Sequence, residues 1–86
     1  MKPLNIPSPT LVSGATLDKR GPYRRERRRQ LEQQGLFPQR IALSSRFNVW
    51  PLHEVEAVER ALLAGQSHDD IRALVRYLAD QRKVAA

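Results

Sequence analysis

Apolar residues recur along this chain with three rhythms, and each points to a different element. Residues 1–14 have no rhythm at all. Pro3, Pro7 and Pro9 stand among scattered Ser, Thr and Asn, which blocks a regular helix, so a flexible arm is expected over 1–14. Residues 15–19 have room for one helical turn before Gly21-Pro22, where the residue ahead of proline is pushed out of the α region. Pro22 suits the first position of a new helix, residues 23–34 are nearly all good helix formers, and Gly35 is placed for the left-handed C′ conformation. A helix over 22–34 is therefore predicted. Its winding is expected to present Arg24, Arg25, Arg28 and Arg29 on one broad side and Tyr23, Arg27, Leu31 and Gln34 on the other. Arg28 and Glu32 are spaced as an i, i+4 ion pair.

The rhythm then changes. Residues 40–43 and 47–50 are short β-prone runs separated by Ser44-Ser45-Arg46, which fits a hairpin with a three-residue tip. From Leu52 the period is helical again. Leu52, Val55, Val58 and Leu62 form the predicted inward stripe, Glu54, Glu56 and Glu59 lie off it, and Gly65 ends the helix. Ser67-His68-Asp69-Asp70 reads as a helix start. Ile71, Leu74, Val75 and Leu78 follow at i, i+3, i+4 and i+7, predicting a last helix to about residue 82. The expected fold is mostly α with a small β-hairpin. Its parts are an arm (1–14), a core (15–64), and a capped helix (65–86) that packs on the core or mediates self-association.

At 86 residues the chain has room for one small domain, which makes a deep catalytic cleft improbable. Without cysteine it has neither disulfides nor thiolate metal ligands. No run of about 18 apolar residues and no signal-peptide pattern is present, so a cytoplasmic, nucleoid-associated protein without a membrane partner is expected. The net charge of +6 is unevenly placed: residues 1–50 hold ten Lys/Arg and three Asp/Glu, whereas 51–86 hold five and six. The basic half favours a polyanion, because each neutralised phosphate releases counterions.

The arginines of the 22–34 helix supply both phosphate contacts and bidentate pairing with guanine, each good base pairing being worth about 1–3 kcal/mol of discrimination. Arg24, Arg25, Arg28, Arg29 and Gln33 are the candidate helix contacts. Arg20, Arg40, Ser45 and Arg46 are the candidate contacts of the hairpin and its flank. Trp50 is assigned to the core, as a large aromatic next to a helix start. His53 and His68 have no cysteine partner, and Ser44 and Ser45 have no triad the sequence motivates, so neither metal, cofactor, small-molecule substrate nor enzymatic activity is expected.

A basic helix followed directly by a hairpin is the order of a winged helix-turn-helix of the MerR/excisionase type. Gly35-Leu36-Phe37-Pro38, Arg40-Ile41-Ala42-Leu43, Trp50 and Glu54-Val55-Glu56-Ala57 stand in sequence as motifs of the AlpA-like phage regulators and related excisionases, which residues 22–60 resemble. The resemblance implies a DNA-binding protein of a mobile element. It would act as an excisionase that bends DNA for an integrase, or as a transcriptional regulator, assembling in several copies on the duplex. In that group an apolar residue usually occupies the place of Arg28, so base specificity does not carry over. Two other classes fit the composition: an RNA-binding or ribosome-associated basic protein, and a protein-interaction adaptor working through its last two helices.

Overall fold

The structure is a computed structural model that describes residues 10–85. It is mostly helical, with four helices and a three-stranded antiparallel sheet of order β1-β3-β2. In chain order the elements are β1 (Leu11–Ser13), α1 (Gly14–Arg20), α2 (Arg25–Gln33), β2 (Ile41–Ala42), β3 (Asn48–Pro51), α3 (Leu52–Leu63) and α4 (His68–Ala85).

The expected flexible arm is corrected at its C-terminal end. Leu11, Val12 and Ser13 pair with Pro51, Trp50 and Val49, and Leu52 N donates to Thr10 O at 2.7 Å, so this stretch belongs to the sheet. A three-residue edge strand leaves no periodic signature, which is why its pairing is invisible in the sequence. Residues 1–9 of that expectation lie outside the described residues. On its other side β3 pairs with β2 in the register Ile41↔Val49 and Ala42↔Asn48. The hairpin therefore forms as expected, with β3 reaching Pro51 instead of stopping at Trp50.

Ser13 caps α1, its Oγ accepting from Thr16 N at 3.3 Å. The second helix is shorter than the predicted 22–34. It begins at Arg25, because Arg24 is extended (φ −93°, ψ 176°) and serves as its N-cap, and the Tyr23 carbonyl ahead of it accepts from the Arg28 guanidinium at 3.1 Å. Its end is the predicted one: Gly35 takes φ 78°, and Leu36 N returns to Leu31 O at 2.8 Å. Gly65 closes α3 in the same way, with φ 75° and Gln66 N donating to Ala61 O at 3.1 Å. Ser67 Oγ accepts from Asp70 N at 3.1 Å and so starts α4.

Leu17, Leu31, Leu36, Phe37, Trp50, Val55, Val58, Ala61, Ile71 and Val75 form the core, drawn from every helix. The inward face of α3 is rotated from the predicted one. Leu62 is exposed and Glu54 is fully buried, which corrects the placement of that carboxylate outside the inward stripe. Its partner is Arg82, whose Nε and Nη2 reach both Glu54 oxygens at 2.8 and 2.6 Å while Nη2 also donates to Gln39 O at 2.8 Å. This fork holds the Arg82 guanidinium charged well above its ordinary range, against an opposing effect of desolvation. At the other end of α4, Arg72 Nε donates to the Gln34 carbonyl at 2.9 Å. Val75 lies between these clamps and Ile71 immediately before them, and both are buried, so α4 is part of the core.

Removing one member of a buried pair leaves the other desolvated and unpaired. Arg82→Met is expected to cost about 3 kcal/mol in urea unfolding. Converting Glu54 to Leu in that background restores most of the loss.

Candidate nucleic-acid interface

Nine residues of α2 carry four arginines, and the fold divides them. The inward positions are Arg28, Leu31 and Glu32, at i, i+3 and i+4. Arg24, Arg25, Arg27 and Arg29 are exposed and form no ion pair among the described residues. Arg25, Arg29 and Gln33 follow one another at i, i+4 and i+8, a ridge about 12 Å long on the outer face.

Arg28, predicted to be presented with Arg24, Arg25 and Arg29, lies inside at 4 % exposure. Its Nη1 donates to Asp18 Oδ1 at 2.6 Å and to Tyr23 O at 3.1 Å, and Nη2 to Gly14 O at 3.4 Å. The reason is geometric. Arg28 is one turn before Leu31 and Glu32, and a side chain there crosses into the space between α1 and the sheet. Arg27, predicted to face inward, is exposed and donates to Gln30 Oε1 at 3.2 Å.

The predicted Arg28–Glu32 pair does not form, because both residues find partners from other elements. Glu32 accepts Trp50 Nε1 at 3.0 Å and Arg40 Nε at 2.8 Å. Trp50 is buried as predicted, and the guanidinium carbons of Arg28 and Arg40 stand 5.4 and 5.6 Å from its ring centroid, within cation–π range. Gly14 lies against this cluster: a Cβ there would come 3.3 Å from Arg28 Nη2.

The remaining predicted contacts separate in the same way. Arg20 is turned toward α3, where its Nε and Nη2 meet Glu59 at 3.0 and 2.9 Å and Nη2 lies 3.7 Å from Glu56. The hydrogen bonds to Glu59 hold it charged above its ordinary value. Arg40 is half-buried against Glu32. Ser45 and Arg46 are exposed at the hairpin tip. A groove of about 440 Å³ runs between the helices and the hairpin, and Arg25, Arg28, Arg40 and Arg46 all line it, with Asp18, Phe47 and Trp50.

The sequence pattern does not single out Asp18, whose partner Arg28 lies on the next helix, or Phe47, which lies within a β-prone run. It singles out Glu32 but pairs it with Arg28, whereas the carboxylate reaches Arg40 and Trp50, partners that no i, i+4 spacing announces.

Among the described residues no group of three or more His, Asp or Glu side chains is placed to hold a metal ion. No helix is long and apolar enough to cross a membrane. No family model, curated protein or solved structure matches the chain.

The division of the arginines is testable without any ligand. Asp18→Ala removes the carboxylate from the buried Arg28 guanidinium and, because Asp18 is itself 42 % exposed and Tyr23 O and Gly14 O remain as acceptors, is expected to cost about 2 kcal/mol. Arg29→Ala is expected to change stability by no more than about 0.5 kcal/mol. Thermal unfolding followed by circular dichroism reads both.

Proposed function

We propose that this chain binds double-stranded DNA as a winged helix-turn-helix, with α1 and α2 as the helix pair and the β2–β3 hairpin as the wing. The observation that carries the reading is the set of arginines left free by the fold. Arg25, Arg27 and Arg29 are exposed on α2 and Arg24 at its N-cap, and Arg25 and Arg46 of the hairpin tip line the same groove. These four cations have no carboxylate partner among the described residues and repel one another unless an anion sits among them, and a polyphosphate lattice supplies anions at that density.

In this reading the ridge of Arg25, Arg29 and Gln33 enters the major groove, which is wide enough to admit a helix. Gln33 would pair with adenine and either arginine with guanine. Arg46, and Ser45 through its hydroxyl, would take phosphates flanking the adjacent minor groove. Arg28 supports the surface from beneath and touches no DNA. The resemblance of residues 22–60 to AlpA-like regulators and excisionases extends the proposal to a mobile-element protein that helps an integrase choose excision, with promoter control as the alternative role.

The test is fluorescence anisotropy with a mixed-sequence duplex over a range of salt. Each phosphate contact removed lowers the slope of log affinity against log salt by about one. Arg25→Ala with Arg29→Ala is expected to lower it by about two, and Arg46→Ala by about one. Tighter binding of a structured RNA than of the duplex at equal salt would contradict the reading.

A further inference from the structure

The hairpin carries an apolar pair that neither the core nor the arginine surface uses. Leu43 N donates to Phe47 O at 2.9 Å, one step beyond the Ala42↔Asn48 pair, so Leu43 and Phe47 oppose each other. Opposed residues of an antiparallel pair project on the same face, here the face of Ile41 and Val49. Exposure rises along that face toward the tip: Val49 is 4 % exposed, Ile41 half-buried, Phe47 50 % and Leu43 55 %. Beyond them the chain turns through Ser44-Ser45, and Arg46 stands exposed beside Phe47. Phe47 also lines the groove shared by Arg25, Arg40 and Arg46.

A large apolar pair at the end of a projecting hairpin is costly to leave in water, and its surroundings restrict what can cover it. A second copy of this chain would bring Arg46 and Arg25 against their own counterparts, so like charges would oppose the contact. Duplex DNA has the complementary arrangement, with apolar base faces between two walls of phosphate.

We infer that Phe47, backed by Leu43, is a wedge that enters the minor groove and partly unstacks one base step, kinking the duplex. Phe and Leu are common among side chains that insert between base steps, and such insertions bend the duplex by about 20–90°. Arg46 then holds the phosphate beside the opened step, and the groove between wing and helices receives the strand that bends toward it. The inference rests on the duplex-binding reading above and adds to it a named side chain and a mechanical effect.

The experiment uses the full chain and a short duplex with one TA step, a step that unstacks easily. The duplex carries 2-aminopurine at that step and a dye at each end. The native protein is expected to raise 2-aminopurine fluorescence and shorten the end-to-end distance. Phe47→Ala is expected to bind within about tenfold of native affinity while losing most of both signals, and Phe47→Trp to keep them. Leu43→Ala, on the opposing strand, gives a smaller loss in the same direction, so the outcome does not hang on one variant's folding.

Native-like fluorescence and bending by Phe47→Ala would overturn the wedge and leave duplex binding standing. A DNA-free dimer of the native chain in sedimentation that Phe47→Ala abolishes would also overturn it, by identifying a second copy as the occupant. Absence of any duplex affinity in the native protein would overturn the wedge and the reading beneath it together.

Discussion

The carboxylate of Glu32 holds α2 to the hairpin, and the orientation of everything on α2's outer surface depends on that link. One oxygen accepts from the Arg40 guanidinium and the other from the Trp50 indole. Trp50 is 3 % exposed and sits in β3 between the other two strands. An ionised group placed this deep is stable only with such partners. With both in place, the helix cannot rotate about its axis without breaking a charge-assisted hydrogen bond. The rotation fixed in this way turns Arg28 and Leu31 inward and leaves Arg25, Arg29 and Gln33 outward. The register of the helix against the hairpin is thus set by one buried carboxylate and the indole above it.

The chain's charge is used in two ways. Arg20, Arg28, Arg40, Arg72 and Arg82 are spent on Glu59, Asp18, Glu32, the Gln34 carbonyl and Glu54, and they connect elements distant in sequence. A domain this small has few apolar side chains to spare, and arginine covers core with its stem while its planar head bridges two elements. The arginines exposed on α2 and at the hairpin tip have no ion-pair partner among the described residues. Composition alone counts both groups as one positive charge; only the second is exposed without such a partner.

Much of the fold can be read along the chain, because helix ends and periodicities are local. Gly35 and Gly65 mark two terminations, Ser67 one beginning, and the turn at Ser44-Ser45-Arg46 the hairpin. The failures share a physical origin. The inward face of α2 consists of Arg28, Leu31 and Glu32, two of three of them charged, so a hydrophobic pattern cannot find it, and the arginine run appeared to face one way. The Arg28 guanidinium occupies that inward position and compensates its charge with Asp18. Strand β1 was likewise illegible, since three residues on a sheet edge are defined by their partner. On α3 the burial of Glu54 depends on Arg82, 28 residues away in sequence.

In the proposed complex the exposed α2 arginines and the hairpin tip meet duplex DNA while the Arg28–Glu32–Trp50 cluster stays intact below. Titration of the isotopically labelled chain with duplex DNA, followed by amide and indole resonances, tests this directly. Perturbations are expected at Arg25, Arg29, Gln33 and residues 43–47. The single Trp indole N–H should remain protected from solvent exchange, and the outer face of α4 at Arg76, Tyr77 and Lys83 should be unaffected. Perturbations centred on α4, or loss of indole protection as Glu32 releases Trp50, would contradict it.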